Sequence, residues 1–174
     1  MKRVFILLFL VISMSVSAQN EKCLDGLGPK SGLKAFVEVG YTAGTDLYAE
    51  DRISFIMTAG WQFNPYFFAG LGSGENYFSD SKKYGIPFYV DLRSNILDNS
   101  KSLFLDFKIG YSIADIEGFF LSPSVGWRYG FRNNTALTLS MGYELQKSNS
   151  FNNDDKVIKS NHRGGMTLKM GFEF

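Results

Sequence analysis

Leu103-Phe104-Leu105-Asp106-Phe107-Lys108-Ile109-Gly110-Tyr111-Ser112-Ile113 changes character at almost every step. Leu103, Leu105, Phe107, Ile109, Tyr111 and Ile113 share one parity, while Asp106, Lys108, Gly110 and Ser112 share the other. Successive side chains of a strand point to opposite faces, so a period of two predicts a β-strand with one apolar and one polar face.

The same pattern extends outward in both directions. Leu33, Ala35, Val37, Val39 and Tyr41 oppose Lys34, Phe36, Glu38 and Gly40; Ile53, Phe55, Met57, Ala59, Trp61 and Phe63 form the next apolar face. A glycine-rich segment from Tyr66 to Asn76 follows, with Phe67, Ala69 and Leu71 as its better outward set. Ile86, Phe88, Val90 and Leu92 then alternate with Tyr89, Asp91 and Arg93. Beyond the opening segment, Phe119, Leu121, Val125, Trp127 and Tyr129 oppose Ser122, Ser124, Gly126 and Arg128. Leu137, Leu139, Met141, Tyr143 and Leu145 oppose Thr138, Ser140, Gly142 and Glu144, and the chain closes with Met166, Leu168, Met170, Phe172 and Phe174 against Thr167, Lys169, Gly171 and Glu173. Eight segments each approach the roughly 9 to 11 residues that a tilted strand needs to cross a bilayer. The sequence predicts an all-β fold, an eight-stranded antiparallel up-and-down transmembrane β-barrel. Pro123 lies inside the sixth strand and has no N–H for a ladder, so a bulge or local irregularity is expected there.

Mean hydropathy near zero is compatible with this reading. A helical membrane protein needs about 18 or more consecutive apolar residues, whereas alternating faces average to neutral. Charge also nearly cancels, 18 basic against 17 acidic residues, so no single-sign field points to nucleic acid.

Residues 1–18 read as a cleaved secretory signal peptide: Lys2 and Arg3, an apolar run from Val4 to Ile12, and Val16-Ser17-Ala18 before Gln19. Residues 19–32 form a periplasmic N-terminal segment and 33–174 the outer-membrane β-barrel domain. Cys23 lacks the small residues of a lipoprotein site, and one cysteine cannot close a disulfide within its own chain. Asn64-Pro65, Asp98 to Lys101 and Arg132 to Asn134 read as tight turns, whereas Gly44 to Asp51, Tyr77 to Gly85, Ala114 to Gly118 and Lys147 to Asn161 read as longer polar loops. Short turns face the periplasm and long loops the exterior in outer-membrane barrels, which sets both termini in the periplasm.

Six strands carry an apolar-Gly-aromatic tripeptide. Its aromatics are Tyr41, Tyr111 and Tyr143 on upward strands and Trp61, Trp127 and Phe172 on downward ones, predicting two lipid-interface girdles. With the signal peptide, the eight alternating strands and the closing Met166-Thr167-Leu168-Lys169-Met170-Gly171-Phe172-Glu173-Phe174, the chain resembles the small outer-membrane β-barrels of the OmpA/OmpX type of Gram-negative bacteria. The resemblance implies outer-membrane lipid as surroundings, secretion and barrel-assembly machinery as partners during biogenesis, and Leu168, Met170, Phe172 and Phe174 as the assembly signal.

An eight-stranded barrel is just wide enough for side chains to fill it. Glu38, Asp91, Asp106, Glu144 and Glu173, with Arg93, Lys108, Arg128 and Lys169, form the expected interior charge network. By height along the strands, Glu38, Lys108, Asp91 and Arg128 are expected near the middle, with Arg93, Asp106, Lys169 and Glu173 nearer the periplasmic end. Such a network reads as a lock, and the barrel as a non-enzymatic structural or surface-interaction protein acting through its loops. The alternatives are a narrow channel for small solutes and a secreted lipocalin-like ligand-binding barrel. No cofactor is expected, and one Cys with one His cannot make a metal-ligand cluster. His162 is the only histidine; outer-membrane lipid A deacylases carry a Ser two residues after theirs, where this chain has Gly164.

Overall fold

The computed structural model describes residues 29–45, 50–97, 100–131, 134–151 and 157–174. Of 148–151 and 157–162 only the backbone is described. The expected signal peptide and Cys23 lie outside these residues, as do 46–49, 98–99, 132–133 and 152–156 within the connections.

Eight strands follow one another: β1 (Gly32–Gly44), β2 (Arg52–Asn64), β3 (Phe67–Phe78), β4 (Lys83–Asn95), β5 (Lys101–Ala114), β6 (Gly118–Gly130), β7 (Ala136–Phe151) and β8 (Val157–Glu173). Each pairs antiparallel with the next, and β8 pairs with β1, giving a closed barrel. Phe174 seals the seam at its lower end, since its N–H donates to the carbonyl of Ala35 at 2.9 Å. Closure removes the unpaired strand edges that lipid could not solvate.

The register fixes the tilt. From Glu173 the paired residues run Phe36, Thr58, Gly72, Tyr89, Gly110, Phe120, Gln146 and back to β8 at Arg163. The circuit thus returns 173 − 163 = 10 residues away. A ten-residue stagger over eight strands tilts them by about 40° to the barrel axis.

Alternation decides what faces out. Val39, Leu71, Val90, Leu105, Met141 and Leu168 are exposed on the outer wall, whereas Lys34, Glu38, Arg52, Asp91, Lys108 and Lys169 are buried inside. With the stagger counted, Tyr41, Tyr111 and Tyr143 lie toward the end bearing connections 45–51, 79–82, 115–117 and 152–156, hereafter the loop end. Trp61, Trp127 and Phe172 lie toward the opposite turn end, with aliphatic residues between the two sets. Further rings pair at the two ends: Tyr77 with Tyr84 at 5.1 Å at the loop end, and Tyr129 with Phe131 at 5.5 Å and Phe172 with Phe174 at 4.9 Å at the turn end.

Two local expectations need narrowing or correction. Pro123 brings the expected local irregularity without a bulge: pairing of β6 with β7 lapses at Ser122 and Pro123 and resumes in the same register at Ser124↔Gly142. The missing N–H removes ladder contacts without inserting a residue. Pro87 does the same on β4, where pairing with β3 lapses between Ser73↔Phe88 and Asn76↔Gly85. A register shift falls instead between Gln62 and Asn64, beside the turn that Asn64 caps by accepting from the N–H groups of Tyr66 and Phe67, both at 2.9 Å.

The second correction concerns the expected loop from Lys147 to Asn161. Most of it is strand, since β7 runs to Phe151 and β8 starts at Val157. Its sequence is rich in Ser, Asn, Asp and Lys without apolar alternation, so the pairing left no periodic trace there. Tyr77 to Gly85 likewise shrinks to the turn at 79–82.

Placement of the outer wall in lipid predicts a depth-dependent response. Val90→Lys, at mid-height, is expected to destabilise the barrel in bilayers by about 2–4 kcal/mol, and Tyr84→Lys, near the loop end, by about 0–1 kcal/mol. Denaturant titration of folding into vesicles measures both; equal effects would contradict the placement.

Candidate functional site: the charged interior

The interior residues arrive in tiers. At the turn end Lys34 on β1 donates to Glu173 Oε1 at 2.8 Å and to the carbonyl oxygen of Asn134 at 3.2 Å. Arg128 on β6 forks onto the same carboxylate, Nε to Oε2 at 2.7 Å and Nη2 to Oε1 at 3.0 Å. Asn134 occupies a left-handed backbone conformation, φ 60°, which asparagine tolerates better than most residues.

Above this tier lies a plate of rings. The Arg93 guanidinium stacks 4.1 Å from the Phe36 centroid and 4.6 Å from that of Phe104, while Phe36 meets Phe68 edge-on at 4.9 Å. Arg93 thus joins the plate to the central tier, where Nη2 contacts Glu38 Oε1 at 3.0 Å and Asp106 Oδ2 at 3.4 Å. Lys108 binds Glu38 Oε2 at 3.0 Å, Asp91 Oδ2 at 3.5 Å, and Asp106. A second apolar layer of Ile56, Tyr89 and Phe120 follows, with the Tyr89 hydroxyl 3.0 Å from Thr58 Oγ1.

Toward the loop end, Arg52 Nε contacts Glu144 Oε1 at 3.0 Å, and its Nη2 donates to the Glu144 carbonyl oxygen at 3.1 Å. Lys169 reaches the other carboxylate oxygen at 3.4 Å and donates to Ser122 Oγ at 2.6 Å. Phe78 lies between two cations, 5.5 Å from Arg52 and 5.6 Å from Arg163, and Arg163 pairs with Glu50 at 3.1 Å.

All nine residues of the expected network are inside; Glu38, Asp91 and Lys108 lie in the centre and Glu173 at the turn end as expected, whereas four others differ in height. Arg93 and Asp106 join Glu38, Asp91 and Lys108 in the centre. Arg128 instead binds Glu173 near the turn end, and Lys169 extends to Glu144 near the loop end. A flat count along each strand ignores the stagger, which displaces residues of one hydrogen-bonded row by about 10/8 of a residue per strand. Lys34 and Arg52 also belong to the network, bringing it to five acids and six bases. Parity already put Lys34 on the inner face with Glu38, and Arg52 one step before outward Ile53.

The backbone of His162 pairs opposite Lys147 on the extended β7–β8 ribbon. A hollow of about 540 Å³ lies mainly among lipid-facing residues, including Leu92, Leu105, Phe107, Pro123, Val125 and Met141, rather than along the barrel axis.

No family model and no curated protein matches the chain. Solved structures do. The crystal structure of Neisserial surface protein A is similar with a TM-score of 0.63 at 11% identity, over 83% of this chain and 97% of that one. A de novo designed transmembrane β-barrel is similar with a TM-score of 0.50 at 17% identity, over 86% and 98%. The fold is that of a transmembrane β-barrel. At these identities the likeness establishes architecture alone.

Two expectations follow from the geometry. Glu38→Ala removes a carboxylate shared by Arg93 and Lys108, leaving the two cations to Asp106 and Asp91 around a cavity in the buried centre, and should destabilise the barrel by about 3 kcal/mol in urea titration. Glu50→Ala, whose pair with Arg163 is partly exposed, should cost about 1 kcal/mol or less. At the loop end, Asp51 accepts from the Tyr41 hydroxyl at 2.7 Å and the Gly44 N–H at 3.1 Å, which hold its carboxyl below the ordinary carboxylate range. This support is present while Asp51 is ionised and fades as pH falls through the lowered value. Tyr41→Phe should move the Asp51 titration upward, as followed by carboxyl NMR shifts.

Proposed function

We propose that this chain is a Gram-negative outer-membrane barrel of the OmpA/OmpX type, non-enzymatic, whose filled interior locks the wall while its loop end meets other surfaces or envelope components. The observation carrying this reading is the stack of charged tiers and apolar plates: Lys34–Glu173–Arg128, then Phe36–Phe68–Phe104, the Glu38 cluster, Ile56–Tyr89–Phe120, and Glu144 with its two cations. A soluble ligand-binding barrel would turn its apolar face inward. Here Lys108 and Glu38 are buried inside and Leu71 is 70% exposed on the wall, which favours lipid as the surroundings.

In this reading the signal peptide directs export, and Leu168, Met170, Phe172 and Phe174 are the residues met by the assembly machinery. The termini lie on the periplasmic side, with the β7–β8 ribbon outermost.

A narrow channel is the second reading. It is favoured by buried polar atoms in the loop-end half that lack protein partners, among them Thr42 Oγ1, Asn76 Nδ2 and Oδ1, and Ser112 Oγ. Such atoms are satisfied by water. Planar-bilayer recording of the refolded mature chain separates the two. The lock predicts no steady single-channel steps, and regular steps from the wild type would replace it with the channel.

A further inference from the structure

The central tier does not balance. Glu38, Asp91 and Asp106 supply three carboxyl groups, and their salt bridges run to two cations, Arg93 and Lys108, with Lys169 further from Glu38 and bound to Glu144. All five are buried, with Asp91 and Lys108 fully so.

The two aspartates are not equivalent. Asp106 Oδ2 is held by Lys108, by Arg93 at 3.4 Å and by Ser124 Oγ at 3.4 Å. Asp91 has a single cation, Lys108 at 3.5 Å, and neither of its oxygens receives a hydrogen bond. Its neighbour across β3 is Gly70, which has no side chain to offer. Around it stand Lys108 and Asp106 on β5, Arg93 and Tyr89 on β4, Glu38 on β1 and Thr58 on β2; the Thr58 hydroxyl already meets Tyr89. The Asp91 and Asp106 carboxyl groups nonetheless meet on one ammonium, since Oδ2 of each contacts Lys108 Nζ. Two carboxylates have no proton to put between them, so a hydrogen bond within this pair requires that one be an acid.

We propose that Asp91 and Asp106 share one proton at the centre of the barrel, carried by Asp91 as a neutral carboxylic acid that donates to the Asp106 carboxylate. The proton leaves two anions, Glu38 and Asp106, against two cations, and gives Asp91 the polar partner its burial requires. A metal ion is a poorer occupant, since no group of three carboxylate, imidazole or thiol side chains converges as a ligand set among the described residues. The proposal rests on the sealed-interior reading, because a water-filled lumen would solvate both carboxylates.

Infrared spectroscopy of the refolded protein at neutral pH tests it. The wild type should show the carbonyl stretch of a protonated carboxylic acid. D91N should lose that band and keep the wild-type thermal midpoint, since an amide is a neutral isostere with a donor of its own. D106N should lose the band too, because Asp91 must then ionise to balance Arg93 and Lys108, and its midpoint should fall by several degrees or the variant should fail to refold. An absent band in the wild type, a band that persists in D91N, or a D91N chain as unstable as D106N overturns the shared proton. A missing band in a chain that does not conduct would sink this proposal while leaving the lock intact.

Discussion

Lipid offers no hydrogen bonds, so every amide crossing it must find its partner within the wall. An open sheet of these strands would leave β1 and β8 each with an unpaired edge. Joining them removes both, and a closed wall admits only certain combinations of strand number, stagger and tilt. The ten-residue offset between Glu173 and Arg163 is the local record of that condition. It determines which side chains meet across the interior, and so which charges become partners.

Ion pairing inside then follows from confinement. In a barrel this narrow a buried cation cannot retreat to bulk water, and removal of its partner is strongly destabilising. The network answers with sharing: Glu173 takes two cations, Glu144 takes two, and Lys108 meets three carboxyl groups. Aromatic plates separate the tiers, and Arg93 belongs to both kinds of layer through its charged edge and its stacking faces. That dual contact is available to a planar guanidinium and not to an ammonium.

Parity made the wall legible before any coordinates. The alternation of Leu103 to Ile113 and of six counterparts assigned inside and outside, because a bilayer and a charged lumen punish the wrong facing severely; in the glycine-rich segment from Tyr66 to Asn76 the facing was ambiguous. Heights were less legible. Arg128 and Lys169 trade places relative to a flat count because stagger is a property of the closed sheet and leaves no mark in any one strand. The β7–β8 ribbon was invisible for a related reason, as its sequence from Lys147 to Asn161 carries no hydrophobic period. Arg52 and Pro87 were readable and were overshadowed by stronger neighbours, Ile53 in the apolar face and the Phe88-to-Leu92 alternation.

The two ladder gaps at Pro87 and Pro123 fall on different sides of the cylinder. They divide it into a panel of β4, β5 and β6 and a larger panel of β7, β8, β1, β2 and β3. Within each panel the irregularities, between Gln62 and Asn64 and between Ser150 and Phe151, fall near strand ends, whereas the joints between panels lack rungs within the strands, toward the loop-end half. The cylinder is therefore mechanically anisotropic: lateral pressure from the bilayer would flatten it along these two joints in preference to bending its panels. Its cross-section is thus softest along a direction chosen by two imino acids.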